Sequence, residues 1–182
     1  MKTFISSLFF FAIASHSNIS FAKADMSEQT WSGNPPIGCL EALNNDNALM
    51  DGFRCRGGYC GTIQMSCSFH GDERREERND VDNLIQHSAW SQYFSEEQGP
   101  FYCDPHWFLT GMSCRGPNCD DRSIKCTRVA TRNANLDACK WTGWVSEENG
   151  GVLNFQNGFY ARGVQCGGRY CDNQRFWICP IA

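Results

Sequence analysis

One nine-residue phrase occurs three times in this chain. It reads Gly52-Phe53-Arg54-Cys55-Arg56-Gly57-Gly58-Tyr59-Cys60, then Gly111-Met112-Ser113-Cys114-Arg115-Gly116-Pro117-Asn118-Cys119, then Gly163-Val164-Gln165-Cys166-Gly167-Gly168-Arg169-Tyr170-Cys171. A third cysteine closes each copy (Cys67, Cys126, Cys179), giving C-x4-C-x6-C twice and C-x4-C-x7-C in the last. Trp31-Ser32, Trp90-Ser91 and Trp141-Thr142 stand 24, 24 and 25 residues before the first cysteine of each phrase. Self-similarity over this length marks a chain whose units cannot bury a core alone and must pack on one another. The units span 31–67, 90–126 and 141–179, with a charged insertion at 68–89, and together 25–182 form one domain.

The twelve cysteines set the compartment. Met1 to Ala24 opens on Lys2, runs through an apolar stretch too short to cross a bilayer, and ends on Ala22-Lys23-Ala24, the pattern of a secretory signal peptide cleaved before Asp25. An exported protein, secreted or periplasmic, meets oxidising conditions, so the cysteines read as disulfides rather than zinc ligands. All twelve, Cys39, Cys55, Cys60, Cys67, Cys103, Cys114, Cys119, Cys126, Cys139, Cys166, Cys171 and Cys179, are assigned to bridges, four to a unit. Cys39, Cys103 and Cys139 sit at non-equivalent places, so symmetry does not assign their partners, and four cysteines admit three pairings per unit. The expectation is that each three-cysteine phrase makes one bond internally and one to its own unit's remaining cysteine.

The segments Thr62–Cys67, Ser123–Cys126 and Gln174–Cys179 alternate apolar with polar residues, which is strand periodicity, and Gly57, Gly116 and Gly168 supply the turns before them. Each phrase is therefore a disulfide-tied β-hairpin. Met65, Ile124 and Trp177, two residues before the closing cysteines, are expected to point into the core, and Trp31, Trp90 and Trp141 to anchor it. The predicted fold is all-β and pseudo-threefold: three stapled units of about four short strands, in a β-prism-like body, with a β-trefoil as alternative. This organisation broadly resembles secreted cysteine-rich threefold-repeat β domains and threefold lectins, and the resemblance implies a rigid scaffold with functional turns.

Several function classes are disfavoured by composition. Removal of the first 24 residues takes two lysines and no acid, moving the formal charge from −4 to −6, and no basic run remains, so nucleic acid is not expected as a partner. No later segment has the length of a transmembrane helix. Ser95-Glu96-Glu97 and Ser146-Glu147-Glu148 offer paired carboxylates for a glycosidase-like hydrolase, but neighbours on a strand face opposite ways, and the serines suit turn caps with the glutamates accepting backbone hydrogen bonds. Asp120-Asp121 and Asp172-Asn173 suit turns better than calcium. No cofactor or metal is called for, and the chain reads as a binding module rather than an enzyme. Aromatic rings that stack on sugar faces, beside planar polar groups that take hydroxyls, point to carbohydrate or another cell-surface ligand. The candidate binding residues are Arg56, Tyr59, Arg115, Asp120, Arg169, Tyr170, Asp172 and Asn173, spread over up to three sites that would act multivalently. The rival readings are a secreted hydrolase and a protein-binding inhibitor or toxin component.

Overall fold

The computed structural model describes residues 27–30, 37–39, 48–69, 85–129 and 133–182. The signal-peptide segment, Trp31 and the body of the charged insertion, 70–84, lie outside the described residues. The described chain is all-β, without a helix of seven or more residues. Its strands are β1 (Ser27–Thr30), β2 (Ile37–Gly38), β3 (Ala48–Arg56), β4 (Thr62–Phe69), β5 (Ile85–Trp90), β6 (Phe101–Tyr102), β7 (Trp107–Arg115), β8 (Asp121–Val129), β9 (Lys140–Trp141), β10 (Val152–Asn154), β11 (Phe159–Gly167) and β12 (Asn173–Pro180). Among the described residues no helix is long and apolar enough to cross a membrane.

Each nine-residue phrase is the first strand and turn of a long antiparallel hairpin: β3–β4, β7–β8 and β11–β12. All three hairpins carry a register shift at the same place, between Met50 and Gly52, Leu109 and Gly111, and Ala161 and Gly163. A bulge there bends the strand and raises its twist, which lets one face of the hairpin wrap a common core. That face presents Phe53, Met112 and Val164 from the first strands, all fully buried. Met65, Ile124 and Phe176 oppose them from the second strands, with the rings of Phe53 and Phe176 4.9 Å apart. Each such side chain contributes roughly 1.5–3 kcal/mol relative to full exposure.

The sheets are not self-contained units. A third sheet member is always borrowed: β2 of the first unit pairs with β7 of the second, β6 of the second with β11 of the third, and β10 of the third with β3 of the first. The resulting orders are β1-β4-β3-β10, β2-β7-β8-β5 and β6-β11-β12-β9. Expecting each unit to build its own four strands therefore needs correction. A lone hairpin leaves one edge of its first strand unpaired, and a strand from the neighbour covers it. The exchange closes into a ring, so no unit can unfold without exposing an edge of the next.

The disulfides join Cys55–Cys60, Cys114–Cys119 and Cys166–Cys171 across the turns, and Cys39–Cys67, Cys103–Cys126 and Cys139–Cys179 over longer loops. No cysteine is free. Cys39 follows β2 and Cys103 follows β6, so both of their bonds tie a donated strand back to its own unit's hairpin. In the third unit Phe155 follows β10 instead, and Cys139 staples β12 near β9. The equivalence of Phe155 with Cys103 is backbone-deep: Phe155 N–H donates to the bulge carbonyl of Asp51 (2.9 Å), as Cys103 N–H does to that of Arg162 (2.8 Å). The Phe155 ring packs 5.6 Å from Phe176, doing by apolar contact what the bond does elsewhere.

Three residues depart from their expected placements. Trp177 lies in a smaller cluster with Cys179, Phe108 and Tyr160, while Phe176 holds the position of Met65 and Ile124 in the core. The extra residue of the third unit falls after this position, so counting back from the last cysteine lands one strand face away. Trp90 is 40% exposed and Trp141 only half-buried, because their partners Lys125 and Trp177 lie on the outer face.

Candidate functional site

At one end of the molecule the three disulfide turns meet. Each runs from a glycine at positive φ (Gly57, Gly116, Gly168) into two further left-handed residues: Tyr59-Cys60, Asn118-Cys119 and Tyr170-Cys171. Only strong local constraint holds non-glycine residues in that region. The turns supply it to one another. The disulfide sulfur of Cys60 rests 3.0 Å from the Asp172 carbonyl oxygen, that of Cys171 3.2 Å from the Asp120 carbonyl, and that of Cys119 3.8 Å from the Gly61 carbonyl, a closed cycle.

Carboxylates from neighbouring units clamp two of the turns. Glu147 accepts the N–H groups of Tyr59 (2.7 Å) and Cys60 (3.2 Å), and Glu96 accepts that of Tyr170 (3.3 Å). Both glutamates sit in tight turns closed by their serines: Ser95 N–H donates to Gln98 Oε1 and Ser146 N–H to Asn149 Oδ1, each at 2.9 Å. The duplicated acidic phrase thus has a structural task. Its absence from the first unit goes with the divergent turn of the second unit, Pro117-Asn118, which among the described residues receives no glutamate.

Of the residues singled out in the sequence, Tyr59 and Tyr170 come together edge to face, with centroids 5.1 Å apart and Arg169 4.8 Å above Tyr170. Asp120 and Asp172 fold back over their own turns: a Cβ on Gly116 or Gly168 would lie 1.9 Å from the Oδ1 of Asp120 or Asp172. Asp172 Oδ1 also accepts from Asn173 Nδ2 at 2.9 Å. Arg56 stands exposed at the end of β3. Arg115 stacks on Tyr93, 4.2 Å from its centroid, and pairs with Asp121 at 2.9 Å. The three turns are therefore not three copies of one site, and most of their polar groups serve the turns themselves.

Behind the turns, Arg122 is fully buried where the other hairpins carry Ile63 and Gln174. Its Nη2 lies 3.5 Å from the Cys60 carbonyl, while Nε and Nη1 have no hydrogen-bond partner among the described residues. Burial lowers its pKa to about 10, partly opposed by Asp120. Arg162, at the third bulge, is also lowered by burial, with Asp104 opposing, but donates Nε to the Trp107 carbonyl (2.8 Å) and Nη2 to those of Cys103 and Asp104.

A different arrangement occupies the outer face of the third sheet. Tyr102 pairs with Gly163, Gly163 with Trp177, and Trp177 with Trp141, so one row across four strands carries three large rings. Their centroids are 5.3 Å apart for Trp141–Trp177, 5.8 Å for Tyr102–Trp141 and 6.3 Å for Tyr102–Trp177. The glycines make this possible. A Cβ on Gly163 would meet Tyr102 Cδ1 at 2.8 Å, and one on Gly167 would meet the Trp144 ring at 2.9 Å, so both rings lie directly on the backbone. Between the tryptophans sits Arg175, its Cζ 4.6 Å from the Trp141 centroid and 4.7 Å from that of Trp144. Its Nε and Nη2 both donate to Gln165 Oε1, at 2.9 and 2.7 Å. Tyr102 is 46% and Trp144 41% exposed.

The corresponding rows elsewhere are not aromatic platforms. In the second sheet the row is Gly38, Gly111, Lys125 and Trp90, and in the first it includes Asn154, Gly52 and Ser66. Sequence reasoning missed Tyr102, Trp141, Trp177 and Arg175. A usable signal existed: the position six residues after the second phrase cysteine is Ser66, Lys125 and Trp177. Lys125 there marks the outer face of its strand, the face on which Trp177 lies half-buried in the third sheet, while Ser66 is fully buried in the first. Compared with protein families, curated proteins and solved structures, the chain matches none significantly.

Proposed function

We propose that this chain is an exported binding module that recognises carbohydrate through the outer face of its third sheet. The observation that carries this reading is the aromatic face of Tyr102, Trp141, Trp177 and Trp144, held open by Gly163 and Gly167 around a fixed guanidinium. Flat, partly exposed rings on a sheet are preordered: they lose little conformational freedom when the apolar face of a sugar ring stacks on them. Exposed aromatic groups clustered in this way mark binding surfaces in soluble proteins. The export reading rests on the signal-peptide pattern and the six disulfides. The arrangement of the three hairpins is read here as pseudo-threefold and β-prism-like, supported by the cyclic exchange of β2, β6 and β10 and the matching bulges. Engagement of Glu96 and Glu147 by backbone N–H groups weighs against a hydrolase built on those acids.

The test is a glycan array and polysaccharide pull-down with the mature protein and the Tyr102→Ala and Trp144→Ala variants, both at exposed positions. The expected result is retention by the wild type and a loss of about two- to tenfold in each variant, in line with the roughly 0.5–1.5 kcal/mol of an aromatic contact. Failure of the wild type to bind any glycan at high density would overturn the reading.

A further inference from the structure

The two stacked arginines of the outer faces differ in what neutralises them. Arg115 lies on one ring, Tyr93, and its charge is met by Asp121 at 2.9 Å. Arg175 lies between two rings, Trp141 and Trp144, and its hydrogen-bond acceptor is the neutral amide oxygen of Gln165. Among the described residues no acid forms an ion pair with it. Its Nε and one N–H of Nη2 go to Gln165, and among the described residues Nη1 has no hydrogen-bond partner. The guanidinium thus has no ion-pair partner among the described residues and is held against two aromatic rings, in a chain that is acidic overall. A guanidinium so fixed has lost its rotamer freedom in advance, which is the condition for a charge-assisted bond to contribute its full strength.

From this we infer that the ligand is an acidic sugar, one whose ring stacks on Trp141 and Trp177 or Trp144 while its carboxylate accepts from Arg175 Nη1. The inference rests on the carbohydrate reading of the same face. It names a class, carboxylated sugars of the uronate or sialate type, and excludes neutral glycans as preferred partners. A neutral sugar would leave the guanidinium hydrated at best, and one stacked over it would strip that water without replacing it.

The experiment compares polygalacturonate, alginate, hyaluronate and polysialate with their carboxyl-reduced counterparts, by affinity electrophoresis of the mature protein at low and physiological salt. At least one acidic polymer is expected to bind about tenfold tighter than its reduced form, with a preference that weakens as salt rises. Arg175→Gln should erase the preference, and Arg175→Lys should retain only part of it, since a lysine keeps the charge but not the planar stacking; near-UV circular dichroism checks that the tryptophans stay packed. Equal binding of acidic and reduced polymers would overturn the inference and leave the carbohydrate reading standing. An acid preference that survives in Arg175→Gln would remove Arg175 from the role. Binding of none of these polymers and of no glycan on the array would overturn both.

Discussion

The second and third sheets share an interior and differ on the outside. Inside, Met112 and Ile124 in one correspond to Val164 and Phe176 in the other, all fully buried, with the same bulge beside them. Outside, the row Gly38, Gly111, Lys125, Trp90 faces the row Tyr102, Gly163, Trp177, Trp141. The stacked arginine pairs with an acid in one and, among the described residues, with none in the other. The contrast teaches that the triplicated phrase encodes scaffold: the hydrophobic core tolerates only residues of matching volume and register, whereas the outer rows are free to diverge. The proposed binding function uses one specialised face and not three equal ones, in place of the multivalent arrangement that the repeats alone suggest.

Breaking the shared interior should have the largest effect. Phe176→Ala, which opens a cavity beside Phe53 and Phe155, is expected to cost about 3–5 kcal/mol in urea denaturation. A loss below about 1 kcal/mol would mean that the three hairpins do not pack as one core. The junctions between sheets come next. Removing Cys103–Cys126 by a double alanine change should cost about 3 kcal/mol for the loop it closes. Phe155→Ala, at the junction without a bond, should cost about 2 kcal/mol because the ring is only partly buried. Their effects sharpen the comparison: if Phe155→Ala is neutral, apolar packing does not replace the staple.

Arg122→Gln places on the second sheet the residue that the third carries as Gln174. A fully buried guanidinium with two unpartnered nitrogens is costly, so the variant should be about 1–3 kcal/mol more stable at neutral pH. The sign with pH follows from its pKa, which burial lowers from the ordinary arginine value to about 10. Between these values the unfolded chain binds the proton that the folded chain has released, so wild-type stability rises relative to the variant as pH climbs through about 10. Thermal melts of both proteins from neutral pH to pH 11 check this, and a constant difference across that range would refute it. The smallest effect is expected at the exposed pair: Arg115→Gln should change stability by less than about 1 kcal/mol, and Arg175→Gln should act on ligand binding rather than on folding.

Much of the scaffold was legible in the chain. Cysteine spacing marked the three hairpins, alternation marked their strands, and Met65 and Ile124 fall in the core as their positions require. Trp177 did not follow, because one inserted residue changes which face a strand position occupies. Trp90 and Trp141 depart for another reason: a recurring residue can hold an edge strand whose side chain faces out, so recurrence does not by itself mean burial. Nor was the borrowing of β2, β6 and β10 readable, since strands of two or three residues leave no periodicity to detect.

What the amino-acid sequence determined by itself is therefore local: the turns, the alternation of faces and the four cysteines of each unit, because these depend on neighbours a few residues apart. Only the tertiary structure decided which unit lends a strand to which, that Glu147 clamps a turn 88 residues away, and that Tyr102, Trp141, Trp144, Trp177 and Arg175 share one face. Those outcomes depend on strand register across units, and register is set by the fit of the whole core, which no single segment contains.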